Sequence, residues 1–287
     1  MSDLDPPAGT VREVVVRALA EDLGVLGDVT SLAVIPADAI GEGSFVARAE
    51  GVLAGTAAAT EVFRQLDGAV GVVWSAHDGD DLHPGDVLGR IRGPLRPILA
   101  GERAALNLLQ HCSGVATLTR RFVLAAGGRT RILDTRKTTP GLRALERAAV
   151  RAGGGSNHRD SLSDAVLVKD NHLAHLDLAF AVEQTRTRWP GRMVEVECDT
   201  LEQVAQAKAA EPDRVMLDNM TPAQVAEAVA VLGGSIPVEV SGSVTLATVA
   251  AYAAAGADFI SVGALTHSAP ALDLALELGP AAPGTRG

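Results

Sequence analysis

The spacing of hydrophobic positions divides the chain into two parts that meet near residue 130. Before that point, helical spacing predicts helices at 11–23, 56–66 and 98–124. The segments between them, at 41–55 and 69–93, read as short strands joined by turns that contain Asp-Gly and Pro-Gly. The first part is therefore predicted to be an α+β module.

After residue 130, short apolar strands alternate with helices. The predicted strands are "TRILDT", "AVLVKD", "MVEVEC", "RVMLDN", "PVEVSG" and "FISVGA". The predicted helices cover 143–152, 177–189, 201–210, 222–232, 246–255 and 270–278. Repeated βα units with nearly continuous apolar strands predict a parallel sheet that is buried on both faces. Six units favour an open, incomplete α/β barrel, and a doubly wound sheet is the alternative.

Charged residues and glycines stand at the ends of all six predicted strands. They are Asp134, Arg136, Lys137, Lys169, Asp170, Glu195, Glu197, Asp218, Asn219, Glu239, Ser241, Gly242 and Gly263. A solvated loop explains any one of these positions, but it explains six strand ends together poorly. Ligands of parallel α/β proteins bind at the carboxyl ends of the strands, so the pattern predicts a ligand site at this edge of the sheet.

The cations of this set favour an anionic ligand. Arg136, Lys137 and Lys169 follow two of the strands, and His158 and Arg159 come from the segment "GGGSNHRDSLSD". Arginine matches carboxylates and phosphates with two parallel hydrogen bonds, and lysine supplies a point charge. Because converging cations repel one another, we expect a polyanion between them.

Two acidic residues predict a metal site beside these cations. Glu197 and Asp218 end adjacent predicted strands, and oxygen ligands without soft neighbours suit Mg²⁺, which commonly bridges a protein carboxylate to substrate phosphates. Pairing of these carboxylates with the nearby cations is the alternative. The small residues of "SGS" and "VGA", just before the last helices, are expected to let backbone N–H groups approach a phosphate.

Composition argues against several other classes of protein. The net charge is −10 and aromatic residues make up 3% of the chain, whereas a nucleic-acid binder usually has a basic face and stacking rings. Cys112 and Cys198 lie far apart without a CxxC motif, so neither a disulfide framework nor a zinc site is expected. His172 and His175 are spaced like a helical metal pair but have no third ligand. With no signal peptide or membrane span evident, a cytoplasmic protein is expected.

Several segments resemble one enzyme family over nearly the whole chain. They are "EDLGVLGDVTS", "GVLAG", "PGDVL", "ERAALNLLQHCSGVAT", "DTRKTTPGLR", "RAGGGSNHRDSLSDAVLVKDNH", "VEVECDTLEQV", "VMLDNM", "VEVSGSV" and "FISVGALTHSAPALDL". The family is quinolinate phosphoribosyltransferase, also called nicotinate-nucleotide pyrophosphorylase (carboxylating). The resemblance implies an N-terminal α/β sandwich domain at 1–110 and an open α/β barrel at 111–268. A C-terminal helix at about 269–279 is expected to pack back on the first domain, and 280–287 to form a disordered tail.

The resemblance also implies a reaction in NAD biosynthesis. Quinolinate and phosphoribosyl pyrophosphate (PRPP) would give nicotinate mononucleotide, pyrophosphate and CO₂ with Mg²⁺, in a homodimer or larger homo-oligomer. The implied quinolinate ligands are Arg103, from the neighbouring subunit, Arg136, His158, Arg159 and Lys169. The implied PRPP ligands are Lys137, shared between the substrates, Glu197, Asp218, Ser241, Gly242 and Gly263. Glu197 and Asp218 would hold the metal. The catalytic set is Lys137, Lys169, Glu197 and Asp218, in which either lysine can protonate the carbanion.

Three other interpretations stay open at this point. A molybdenum-transport paralogue shares the fold, although its group lacks the "KDNH" stretch present here at 169–172. A barrel aldolase would use Lys169 as a Schiff base, which needs a desolvated lysine of lowered pKa. A protein that binds phosphorylated ligands without catalysis is the third alternative.

Overall fold

The computed structural model describes residues 4–174 and 176–279. The helices among them are α1 (Ala8–Leu23), α2 (Val29–Val34), α3 (Thr56–Leu66), α4 (Leu95–Ala126), α5 (Arg143–Ala152), α6 (Asp170–Leu173), α7 (Leu178–Arg188), α8 (Leu201–Ala210), α9 (Pro222–Leu232), α10 (Val249–Ala254) and α11 (Ala264–His267). The strands are β1 (Ile40–Ala47), β2 (Gly51–Val52), β3 (Gly71–Trp74), β4 (Asp81–Leu82), β5 (Val87–Pro94), β6 (Arg131–Leu133), β7 (Val166–Val168), β8 (Val194–Cys198), β9 (Arg214–Asp218), β10 (Val238–Ser241), β11 (Phe259–Ser261) and β12 (Leu274–Leu278). None of these helices combines the length and hydropathy needed to cross a membrane.

The chain forms two compact units, and neither is continuous in sequence. Among the described residues, the first contains 4–120, the segment Thr138–Gly154 and 268–279. The second contains Arg121–Lys137 and Gly155–His267. The segment that carries α5 therefore belongs to the first unit, although the sequence placed it in the barrel. The predicted tail at 280–287 lies outside the described residues.

The first unit is built on an antiparallel sheet with the strand order β12-β1-β5-β3. Its core contains the ring of Phe45, which stacks on Trp74 at 4.7 Å between centroids and meets Phe63 edge-on at 6.3 Å. Phe45 and Phe63 are fully buried. The helix α3 carries Phe63 and covers the predicted range 56–66, so the predicted combination of helices and strands is present here.

The helix predicted at 270–278, which is also the C-terminal helix expected at about 269–279, is wrong, because Leu274–Leu278 form the strand β12. It pairs with β1 in an antiparallel register that runs from Gly43 opposite Leu278 to Ala47 opposite Leu274. Leucine, alanine and glutamate favour helices, which led to the prediction. Pairing with β1 and burial of Leu274, Ala275 and Leu276 override that preference.

The second unit is built on a six-stranded parallel sheet with the order β6-β11-β10-β9-β8-β7. From β7 to β11, each strand pairs with the next one in the chain, and β11 then pairs with the first strand, β6. This single direction of winding is that of a barrel, whereas a doubly wound sheet reverses direction at a switch point. Among the described strands of this sheet, β6 and β7 are the two edges and do not pair with each other, so the barrel is open as predicted.

Local sequence signals fix the loops that follow the strands of this sheet. Thr200 and Thr221 cap α8 and α9, and each shares a reciprocal capping box with a glutamine three residues later. Pro222 occupies the first turn of α9, where its missing N–H leaves no hydrogen bond unmade. Because these caps start the helices two to three residues after the strands end, the loops that follow β8 and β9 are short.

Candidate active site

A cavity of about 400 Å³ opens at the carboxyl ends of the parallel strands in the second unit. Seven predicted site residues line it: Arg136, Lys137, His158, Arg159, Lys169, Asp218 and Ser241. Leu167 and Met216 contribute apolar surface that the sequence analysis did not anticipate. The cavity thus combines converging charges with an apolar wall of the kind that holds a flat organic ring.

The two arginines of the cavity interact electrostatically. Burial lowers the pKa of Arg159, and the charge of Arg136 lowers it further. The Nη1 of Arg159 donates a hydrogen bond to the carbonyl of Ala165 at 3.1 Å, which fixes the guanidinium. Two like charges held this way are stabilised by an anion between them.

Lys137 is positioned through its backbone. Its carbonyl accepts a hydrogen bond from Thr266 Oγ1 at 2.8 Å, and its N–H donates to Thr135 Oγ1 at 3.0 Å. A Cβ at Gly263 would lie 3.1 Å from Cδ of Lys137, so the glycine leaves room for the lysine side chain. The structure therefore brings Gly263 and Lys137 together, as the strand-end pattern predicted.

A group of carboxylates lies beside the cations. Lys169 Nζ forms an ion pair with Glu197, so the alternative of carboxylate–cation pairing is realised for this acid. Burial raises the pKa of Glu197 against the influence of Lys169, and the charges of Asp218 and Asp199 raise it further. Neighbouring carboxylates repel one another and are stabilised by a cation between them, and an oxygen donor set suits Mg²⁺.

The turns after β9 and β10 pack tightly against each other. Gly242 has a φ of +95°, and a Cβ there would lie 2.2 Å from Asn219 Oδ1. Asn219 and Ser243 also have positive φ values, of 55° and 51°. The expectation that "SGS" stands just before a helix is wrong, because α10 begins only at Val249. By contrast, α11 begins directly after Gly263.

His158 contacts two buried acids inside the barrel. Its Nε2 lies 2.9 Å from Glu195 Oε2 and 3.4 Å from Glu239 Oε2, and both carboxylates are fully buried. Burial lowers the pKa of His158, but the hydrogen bonds and charges of the two acids outweigh it and raise the pKa to about 9. Against that raised pKa, the backbone N–H of Arg159 donates to Nδ1 at 2.7 Å, and this geometry requires the neutral ring with its one proton on Nε2, facing the acids.

Arg214 and Ser261 complete this buried cluster. Arg214 Nη1 lies 2.7 Å from Glu239 Oε2 and 3.9 Å from Glu195 Oε1. Its guanidinium also stacks over the ring of Phe259 at 4.0 Å. Ser261 Oγ donates a hydrogen bond to the other oxygen of Glu239. Sequence reasoning counted the two acids among the strand ends but assigned them no role, and it missed Arg214 and Ser261 altogether.

Residues outside the cavity stand as follows. Arg103 is exposed on α4 in the first unit, and its role across subunits stays a prediction. His172 Nδ1 accepts a hydrogen bond from the N–H of Lys169 at 3.0 Å, while His175 lies outside the described residues. Cys112 and Cys198 are buried free thiols.

The fold and the cavity together define an α/β-barrel protein with a cavity lined by cations and two apolar side chains at the carboxyl ends of its strands. Residues 28–113 match the family model described as quinolinate phosphoribosyl transferase, N-terminal domain, and residues 115–277 match that of the C-terminal domain. The chain belongs to the quinolinate phosphoribosyltransferase family.

Named relatives agree with the family. The chain is 42% identical to the probable nicotinate-nucleotide pyrophosphorylase [carboxylating] of Bacillus subtilis (strain 168), over 90% of each chain. It is also 42% identical to the nicotinate-nucleotide pyrophosphorylase [carboxylating] of Mycobacterium leprae, over 93% of this chain and 96% of the relative. The solved structure of the nicotinate-nucleotide pyrophosphorylase from Francisella tularensis is similar with a TM-score of 0.91 and 38% identity, over 96% of this chain and 98% of that one.

Proposed function

We propose that this chain transfers the phosphoribosyl group of PRPP to quinolinate and releases pyrophosphate and CO₂, giving nicotinate mononucleotide for NAD biosynthesis. The observation that carries the proposal is the convergence of Arg136, Lys137, Arg159 and Lys169 on one cavity. Quinolinate carries two carboxylates and PRPP carries several phosphate charges, so a pocket for both must offset many negative charges. Leu167 and Met216 supply apolar surface for the pyridine ring.

The cations have separable roles in this reaction. Arg136 and Arg159 orient the carboxylates of quinolinate, and Lys137 lies where the two anionic substrates meet. Holding both substrates in attack geometry supplies roughly 7–11 kcal/mol of the lowering of the barrier. The ring nitrogen attacks the ribose C1 as pyrophosphate leaves, and it becomes a pyridinium.

Decarboxylation follows from the same positive charge. Loss of the carboxylate next to the ring nitrogen leaves its electron pair on carbon, and the pyridinium stabilises that carbanion electrostatically. A proton from Lys169 or Lys137 then completes the product. Lys169 has a side chain that is 42% exposed and paired with Glu197, which disfavours the desolvated Schiff-base lysine of the aldolase alternative.

The proposed reaction includes Mg²⁺, bound by the carboxylates beside the cations. Glu197 and Asp218 would hold the ion together with PRPP, and Asp199 adds negative charge to the same place. When bound, Mg²⁺ would neutralise charge on the departing pyrophosphate.

The assembly is proposed to be a homodimer or larger homo-oligomer in the cytoplasm. The family resemblance supports Arg103 as a residue given to the neighbouring subunit's site, and the exposure of its side chain is compatible with this role. The two buried free cysteines are compatible with a reducing compartment.

Product analysis tests the reaction. The purified protein is mixed with PRPP, Mg²⁺ and either quinolinate or nicotinate, and mononucleotide formation is followed by chromatography. We expect product from quinolinate only, and its loss when EDTA is added. Product from nicotinate alone would contradict the role of the arginines, and no product from either would favour the transport paralogue or the non-catalytic binder.

A further inference from the structure

His158 occupies the cavity wall, but both nitrogens of its ring are engaged by the protein. Nε2 lies 2.9 Å from Glu195 Oε2, and Nδ1 lies 2.7 Å from the backbone N–H of Arg159. The ring therefore connects a buried carboxylate on β8 with the backbone of the residue that carries a cavity cation. A histidine bonded in this way on both sides is poorly placed to bind a substrate carboxylate through either nitrogen.

The backbone around Arg159 is fixed from several directions. The N–H of His158 donates to Asp134 Oδ1 at 2.7 Å, and Asn157 Nδ2 donates to Asp134 Oδ2 at 2.6 Å. Asp134 is itself fully buried. The far end of Arg159 is held at the carbonyl of Ala165. Both the backbone and the head group of this arginine are thus anchored, which limits the positions that the guanidinium can take.

The buried acid Glu239, next to the ring of His158, is hydrogen-bonded by other protein groups. Its Oε2 accepts a hydrogen bond from Arg214 and its Oε1 accepts one from Ser261. A metal ion bound to His158, Glu195 and Glu239 would have to displace that guanidinium, which disfavours a metal site here. The cluster is better explained as a rigid support beneath the cavity, because buried charges in contact and hydrogen-bonded on several sides keep one geometry.

We propose that His158 is a positioning residue that holds Arg159 in place for quinolinate, and that Glu195 and Glu239 are the groups that fix His158. This inference rests on the proposed function, and it changes the role expected for His158 from a direct quinolinate ligand to a support. Arg159 remains the residue that contacts the substrate carboxylate.

A double-mutant cycle on quinolinate binding tests the assignment. His158→Gln keeps a donor for Glu195 but removes the acceptor for the Arg159 N–H. In the wild-type background we expect the dissociation constant of quinolinate to rise about 10- to 100-fold, as loss of a hydrogen bond to a charged group does. In the Arg159→Ala background the same change should alter the constant by no more than about twofold, because the positioned side chain is already gone.

The outcomes separate the inference from the function on which it rests. An equal loss in both backgrounds would overturn the positioning role and make His158 a direct ligand. Failure of the wild-type protein to bind quinolinate would count against the proposed function instead. Calorimetry gives the constants, and His83→Gln, an exposed histidine in the first unit, serves as the matched control. If His158→Gln does not fold, Glu195→Gln, which removes the charge that fixes His158, takes its place with the same expected non-additivity.

Discussion

Gly242→Ala should show how tightly the turn after β10 is packed against the turn after β9. The residue follows β10 with a φ of +95°. A Cβ at this position would lie 2.2 Å from Asn219 Oδ1 and 2.8 Å from the backbone nitrogen of Asn219. The amide side chain can turn away, but the backbone nitrogen is tied to the carbonyl of Ser241 at 3.0 Å. Alanine at 242 must therefore shift one of the two turns.

Gly191 is a matched control for the loss of stability at Gly242, because it has a similar φ but free space around it. Gly191 has a φ of +83°, and a Cβ there would meet nothing within 4 Å. Gly191→Ala should thus lower the free energy of unfolding by only about 1–2 kcal/mol, because an L-residue is strained at positive φ. Gly242→Ala has the same strain, and the close contact of its Cβ adds overpacking of about 1–3 kcal/mol. We expect a loss of unfolding free energy of about 2–5 kcal/mol at Gly242 and about 1–2 kcal/mol at Gly191.

Urea unfolding of both variants, with the slope and midpoint fitted together, measures these losses. Steady-state kinetics should also show a raised KM for PRPP in Gly242→Ala, because the turn lies where the family resemblance puts the 5′-phosphate. Gly191→Ala should leave this KM unchanged. Equal losses of stability in the two variants, with equal KM values, would refute the close-packing argument.

Three further predictions concern separate parts of the chain. Arg103→Ala and Lys137→Ala should each be inactive, and mixed dimers of the two should recover some turnover; no recovery in confirmed mixed dimers would refute the cross-subunit role of Arg103. Glu197→Gln should weaken Mg²⁺ activation, raising the half-activating concentration about tenfold, which corresponds to about 1.4 kcal/mol of lost binding; an unchanged value would exclude it as a ligand. Burial raises the pKa of Cys198 to about 12 and also raises that of Cys112, so native protein should not react with a thiol reagent at mildly alkaline pH, whereas unfolded protein should; rapid labelling of the native state would contradict the buried placement.

The strands of the barrel could be read from the sequence because each is a short apolar run that ends in a charge or glycine. That pattern predicted the α/β class, the motifs of the family resemblance predicted the family, and both are confirmed. It failed for β12, where alanine, leucine and glutamate favour a helix and the deciding partner, β1, lies near the other end of the chain. Long-range strand pairing leaves no local signal in a segment of this composition.

The cavity was predicted for the same reason, since parallel strands bring their carboxyl ends together. Its support was not predicted. This support is the buried cluster around His158. Glu195 and Glu239 interrupt apolar strands, and such positions indicate buried polar contacts. The sequence does not say which cation each acid contacts. That depends on strand register, which places Glu195 opposite Arg214 in the neighbouring strand.

The most direct test of the account is the amount of CO₂ released for each mononucleotide formed. Quinolinate labelled in the carboxyl group next to the ring nitrogen is incubated with PRPP, Mg²⁺ and the protein, and both products are quantified. The account predicts one CO₂ for each nicotinate mononucleotide, with none released when PRPP is omitted. Mononucleotide without labelled CO₂, or no turnover of quinolinate at all, would contradict it.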